Sequence, residues 1–418
     1  LYAGVWLPLQ MQQPAGTAEL GAVETNSSYL YHYLMSFPYR IIELFTHDQT
    51  TQIIIMRLID IAIVIIGFIL FRILLTSLGM SRRAALILLG FISWIPLTTF
   101  LAGQLTYDSL FFTATAATLL LFSDRLRELQ AKKIPSLALT LATVAVLVFA
   151  SQIKYAFLPM ALAIGIAVAV YLCWTIPRQK KYYQKILTAW RQQITTPQAI
   201  GAGVLMIASL LCFAMVDGRN IIQYHTPNPD CGVVLETDRC LGYDPWRRDY
   251  GYISNGYHTQ VTHEDIMGYP RLWITQMVQE FYFSVGPREA GYPYGAPMQT
   301  ALTLGWIVFA LGSLSIIFGI RSIWKAGAVA RLLWLVAVVY ITVLFVQNFY
   351  DFRRTGVPVA IHGRYIIQLL PVLGYLAWIR LHTLPSKLKR PVMIWAPTIV
   401  LVLLIGNAYG GGVLPYII

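Results

Sequence analysis

Charge is scarce in this chain. Only 12% of its 418 residues are Asp, Glu, Lys or Arg, and acids are fewer than bases, 19 against 31. A soluble protein of this length needs more polar surface than that. Alternating ten-residue strands are absent, which excludes an outer-membrane-type barrel. No convincing internal repeat is visible, which weighs against many transporter folds. The sequence does not begin with Met, and no signal-like segment precedes Leu1. A longer precursor is therefore expected, with a further membrane helix upstream as one form of it.

Hydrophobic residues make up 57% of the chain, and its mean hydropathy is +0.61. Apolar runs of about 20 residues, the length that crosses a hydrocarbon core, recur along it. They lie near 53–78, 84–102, 105–122, 135–151, 155–176, 199–217, 300–320, 328–347, 365–381 and 391–409. The expected fold is an all-α polytopic membrane protein of about ten transmembrane helices. Its expected parts are an outer loop over 1–52, six helices over 53–217, an extracytoplasmic α/irregular domain over 218–299 and four helices over 300–418.

The formal charge is +12. Such a balance can signal nucleic acid, but cytoplasmic loops of membrane proteins also collect Lys and Arg. Here the bases gather in alternate connections. These are Arg82-Arg83, "DRLRELQAKK" after the third run, "RQKKYYQKILTAWR" after the fifth, Arg321, Lys325 and Arg331 after the seventh, and Arg380, Lys387, Lys389 and Arg390 around the ninth. The short intervening connections hold only Lys154, Arg353, Arg354 and Arg364. The basic set is therefore expected to be cytoplasmic, with no nucleic-acid partner. Residues 1–52, 218–299, 348–364 and the C-terminus are expected outside.

The outer segment contains Cys231 and Cys240 in "PDCGVVLETDRCLGYDP". A disulfide is expected, because a zinc site needs further ligands at suitable spacing. Cys173 and Cys212 read as small apolar residues. "HTQVTHED" suits a solvated loop, with a metal site as the alternative. In "RLWITQMVQEFYFSV", Trp273, Met277, Phe281 and Val285 share one helical face, with Glu280 placed away from it. That helix either lies on the membrane surface or packs on the protein's own outer domain.

Four outward positions are candidates for chemistry. Asp108, in "GQLTYDSLFF", is either a helix N-cap or a polar contact to substrate. Lys154, in "SQIKYAFLP", either snorkels or binds an anionic headgroup. Arg364 opens the ninth run in "YDFRRTGVPVAIHGRY", where a cation opposes the dipole of a helix starting there. A phosphate would reverse that cost, with Arg353, Arg354 and His362 nearby. Arg57 and Asp60, one turn apart, are expected to form an ion pair within the first run.

The order of "SYLYHYLMSFPYRIIELF", "IPLTTFLAGQLTYDSLFF", "SQIKYAFLPMAL" and "HGRYIIQLLPVLGYLA" resembles a bacterial family of predicted membrane proteins, DUF family 2142. That family looks related to the GT-C glycosyltransferases. The resemblance covers roughly 29–175 and 340–410. It implies a GT-C-like bundle in the bacterial plasma membrane and a polyprenyl-phosphate sugar donor used at the outer face. A glycan or lipid acceptor is then expected, with membrane lipid as a further partner. By this likeness Arg364 holds the donor phosphate, while Asp108 and Lys154 line the site. In such enzymes an acid of the first outer loop acts as base or metal ligand, so a divalent cation is one expectation. The usual Asp-Glu element before "SYLYHY" is not recognisable. Glu19 and Glu24 are the acids there and, with Asp108, stand as candidate bases; no metal ligands are assigned.

A membrane glycosyltransferase for cell-envelope glycans is the first expectation. A lipid or glycan transporter or flippase, and a non-catalytic envelope assembly factor, are the alternatives.

Overall fold

The computed structural model describes residues 29–241, 244–283 and 296–383. Glu19, Glu24, Lys387, Lys389, Arg390 and the run at 391–409 lie outside the described residues. Within them the chain forms helices and turns and no β-strand.

The longer helices are α1 (Leu30–Glu43), α2 (Gln49–Ser77), α3 (Arg82–Ser93), α4 (Pro96–Ala102), α5 (Tyr107–Gln130), α6 (Leu137–Ile153) and α7 (Leu158–Thr175). They continue as α8 (Lys180–Gln193), α9 (Pro197–Phe213), α10 (Asp244–Ser254), α11 (His263–Phe283), α12 (Ala296–Phe318), α13 (Ala328–Thr355) and α14 (Leu370–His382). Their starts follow local chemistry. Asp48 caps α2 by accepting the Thr51 N–H at 2.8 Å. Thr106 caps α5 and Thr196 caps α9, with Pro197 as the first residue of α9.

Five helices among the described residues are long and apolar enough to cross a membrane: Gln49–Ser77, Tyr155–Thr175, Pro197–Tyr224, Ala328–Thr355 and Gly363–His382. The other expected runs differ for identifiable reasons. The run at 84–102 is split into α3 and α4, with Pro96 opening the second piece. α5 carries Asp108, Asp124, Arg125, Arg127 and Glu128, too much charge for a uniform apolar span. α6 has 17 residues, and the described apolar part of α12 is Gly305–Phe318. α2 has 29 residues, about 43 Å of helix against about 30 Å of hydrocarbon. It must tilt or protrude.

The helices pack in pairs: α2 on α5, α5 on α6, α6 on α9, α7 on α13, and α12 on α14. Small residues set the closest approach. A Cβ at Gly67 of α2 would lie 2.7 Å from the Phe112 ring and 2.6 Å from Thr113 Oγ1 of α5. Thr113 Oγ1 donates to the Ile63 carbonyl at 2.6 Å. Such contacts suit membrane bundles, where apolar burial between helices gives little drive.

α1 makes the described part of the expected 1–52 loop a helix, and it packs on α2, α5 and α6. The Tyr31 hydroxyl donates to Asp60 Oδ2 at 2.6 Å. This corrects the expected Arg57–Asp60 pair: Asp60 faces inward and is fully buried, while Arg57 is exposed.

α11 packs on its own protein rather than lying free. Tyr269 stacks on Phe352 of α13 at 4.8 Å. The Trp273 indole N–H donates to Asn348 Oδ1 at 3.0 Å. Glu280 is buried on this side, not turned away from it. Position 280 is seven residues after Trp273 and three after Met277, so it borders their stripe.

Candidate functional site

The end of the bundle covered by α1 gathers three of the sequence candidates. Asp108 is the second residue of α5; the N-cap itself is Thr106. Lys154 sits in an extended break, φ −155° and ψ 123°, between α6 and the turn Tyr155–Phe157. Its Nζ lies 2.5 Å from Asp108 Oδ1, and the two side chains are 1% and 4% exposed. Lys154 therefore does not snorkel. Its ammonium also stands 4.7 Å from the Tyr107 ring centre, 5.4 Å from Phe111 and 4.5 Å from Tyr365. Aromatic faces soften the loss of water that burial imposes on the cation. The start of α5 favours the carboxylate in turn.

Arg364 lies on the other side of this pair. It occupies a one-turn 3-10 segment, Gly363–Tyr365, followed by a second, Ile367–Leu369. α14 begins only at Leu370. Arg364 thus opens 3-10 turns rather than a regular α-helix, and several of the N–H groups expected to be free are taken. Those at Tyr365, Ile366 and Leu369 already donate within the turns, at 3.1, 2.9 and 2.8 Å. What remains is the guanidinium. Its Nη2 donates to the Tyr365 hydroxyl at 3.4 Å, its Nε is buried with no hydrogen-bond partner, and among the described residues it forms no ion pair.

Asp108 and Arg364 line one cavity with Thr98, Ser109, Phe112 and Gln368. Its volume is about 20 Å³, room for a water molecule and not for a lipid headgroup. Gln368 Nε2 donates to the Tyr340 hydroxyl at 2.7 Å, and that hydroxyl donates to the Tyr365 carbonyl at 2.8 Å. This chain fixes the turn carrying Arg364 and Tyr365.

His362 meets buried Glu280 of α11 at 3.0 Å, Nδ1 to Oε2. Gly363, between His362 and Arg364, is tightly packed: a Cβ would lie 3.1 Å from Leu97 and 3.2 Å from both Glu280 and the Met277 carbonyl, so those neighbours would have to yield slightly. α11 thus clamps the turn from outside.

The other two arginines are not part of this cluster. Arg354 is ion-paired with Asp230, and lies 3.7 Å from Asp249 and 4.0 Å from Asp351. Tyr250 links the same segment, donating to Asp230 and accepting the Gly232 N–H, at 2.9 and 2.8 Å. Burial pushes the Tyr250 hydroxyl up from its ordinary pKa. Cys231 and Cys240 are joined at disulfide distance, with 5.8 Å between Cα atoms. Arg354 therefore anchors the bridged segment to α13. Arg353 is exposed.

In "HTQVTHED", Asp265 accepts the Thr262 hydroxyl at 2.7 Å and its N–H at 2.9 Å. Those bonds hold its carboxyl below the usual carboxylate range and cap α11. Sequence reasoning missed Glu280, Tyr340, Tyr365 and Gln368, because their roles depend on contacts between distant segments.

A family model described as "Predicted membrane protein (DUF2142)" matches residues 9–373. No curated protein matches the chain, and no solved structure does.

Proposed function

The chain belongs to the DUF2142 family of predicted membrane proteins, and on that premise we propose that it is a membrane glycosyltransferase. Its donor is a polyprenyl-phosphate-linked sugar, used for cell-envelope glycan synthesis in a bacterial plasma membrane. The observation that carries this reading is Arg364, a partly buried guanidinium with an unpartnered Nε and no ion pair among the described residues. A buried donor without a partner favours an anion that can accept from it. The likeness to GT-C enzymes supplies the reaction class.

In this reaction an acceptor hydroxyl attacks the anomeric carbon. The carbon–oxygen bond to phosphate breaks, and the lipid phosphate leaves with the electron pair. Arg364 stabilises that leaving charge. The acceptor's proton needs a base. Asp108 suits this poorly, since Lys154 holds its carboxylate at 2.5 Å; in our reading it positions Lys154. His362 is assigned the base, held by Glu280 and two residues from Arg364. The cavity of about 20 Å³ is too small for the headgroup, so the donor must reach Arg364 from its exposed edge or displace the 3-10 turns.

The basic connections and the cystine support an orientation with the α1 end away from the cytoplasm, and residues 218–299 with it. Asp60, buried within a span, favours transport of a lipid or glycan as a second reading. The test uses full chain in proteoliposomes with labelled polyprenyl-phosphate sugar and a glycan or lipid acceptor. Transfer of the label supports the enzyme. Movement of the donor across the bilayer without transfer supports transport instead.

A further inference from the structure

Asp217 is the most isolated charge-bearing side chain within a described span. It lies in the apolar rod Pro197–Tyr224, is 0% exposed, and neither carboxylate oxygen has a hydrogen-bond partner. Among the described residues it forms no ion pair. The backbone around it is unusual as well. Between α9 and Arg219–Tyr224 the helix widens into a π turn over Ala214–Gly218. Such turns insert one residue into a helix and recur at functional positions.

Its surroundings offer nothing to compensate a negative charge. α9 packs on α6, which has no ionisable residue from Leu137 to Ile153. Tyr29, just before α1, lies near Asp217; on its own helix Arg219 is exposed and bonds Gln223, and Asn220 Nδ2 donates to the Pro227 carbonyl at 2.9 Å. The Tyr29 hydroxyl donates to Gln152 Oε1 at 2.9 Å. Burial pushes that hydroxyl up from its ordinary pKa, so it stays neutral. A bare carboxylate in such a place costs far more than a neutral carboxyl.

We infer that Asp217 is a proton-binding site within the membrane, holding its proton at neutral pH and able to exchange it. The ligand is H⁺, taken up by the carboxylate to give the neutral acid. The inference is independent of the transferase reading. It rests on a different helix and on groups that reading does not use.

The experiment uses purified full chain in lipid vesicles and the lipid-soluble reagent dicyclohexylcarbodiimide. That reagent needs a protonated carboxyl and leaves an N-acylurea adduct, read by peptide mass spectrometry. We expect an adduct on Asp217 at pH 6. Above the pH at which the proton leaves, labelling should fall about tenfold per pH unit. Asp217→Asn should lack the adduct and keep the wild-type melting temperature, since an amide resembles the protonated acid. No adduct on Asp217 of the folded wild type at any pH would overturn the proposal. So would labelling that sodium ions suppress at constant pH, which would make the ligand a metal cation. The wild-type labelling decides the matter even if the Asn variant fails to fold.

Discussion

Lys154 Nζ meets Asp108 Oδ1 at 2.5 Å although the two residues are 46 positions apart in the chain. The pair joins the start of α5 to the break after α6. Removing one partner leaves a buried charge alone, typically a loss of about 3–5 kcal/mol. Lys154→Met and Asp108→Asn should therefore each lower the melting temperature strongly. The double variant should lose less than the sum of the two. Thermal melting of all four proteins in one detergent checks this. Strict additivity would show that the pair is not coupled.

The bridged segment offers a second test. Cys231 and Cys240 are separated by 9 positions, and closing such a loop contributes about 2.5 kcal/mol in the chain-entropy model. Reduction, or Cys231→Ser with Cys240→Ser, should loosen the segment before it affects the bundle. Arg354→Gln should do the same, since Arg354 ties Asp230 to α13. Limited proteolysis around 231–250 is the readout. Unchanged cleavage in both cases would contradict an anchoring role.

Gly356 supplies a backbone test. It ends α13 at φ +76°, and a Cβ there would come within 2.2 Å of the Tyr257 backbone. Gly79 has φ +91° but open space around its Cβ position. Gly79→Ala should cost only the conformational strain, on the order of 1 kcal/mol. Gly356→Ala adds a clash with backbone and should cost clearly more, about 2–4 kcal/mol. Equal melting temperatures would mean that the Tyr257 turn can move aside.

The contrast between these residues shows what the sequence could carry. Hydropathy and periodicity marked the long helices, and the spacing of Cys231 and Cys240 marked their bridge. The order of short motifs points to one shared region for Asp108, Lys154 and Arg364. Hydropathy alone did not show that Pro96 divides one apolar run, or that two 3-10 turns precede α14. Partner choice was the least legible. Arg57 and Asp60 stand one turn apart, yet Asp60 bonds Tyr31 from another helix. Arg354 looked like Arg364 in sequence, and its carboxylates come from 230, 249 and 351. Asp217 left a signal of its own: a lone acid at the end of an apolar run.

Arg364 carries the functional reading and its sharpest prediction. Its guanidinium touches the Tyr365 hydroxyl at 3.4 Å and its Nε has no partner. A lipid phosphate would accept from that fork, and a Lys ammonium would replace the charge without the paired geometry. Arg364→Lys should therefore weaken donor binding, and Arg364→Ala should weaken it further. Loss of a charge-assisted hydrogen bond costs about 1.5–3 kcal/mol, on the order of ten- to a hundredfold in affinity. Both variants should stay folded, because no buried ion pair is broken. His362→Gln should bind donor like the wild type and lose turnover, since His362 is assigned the proton rather than the phosphate. The measurement is binding of polyprenyl-phosphate sugar to each purified protein, with melting followed in parallel. Equal binding by wild type, Arg364→Lys and Arg364→Ala would remove Arg364 from the donor site. Unfolding of Arg364→Ala would instead make the guanidinium a structural anchor for the turn that Gln368 and Tyr340 hold.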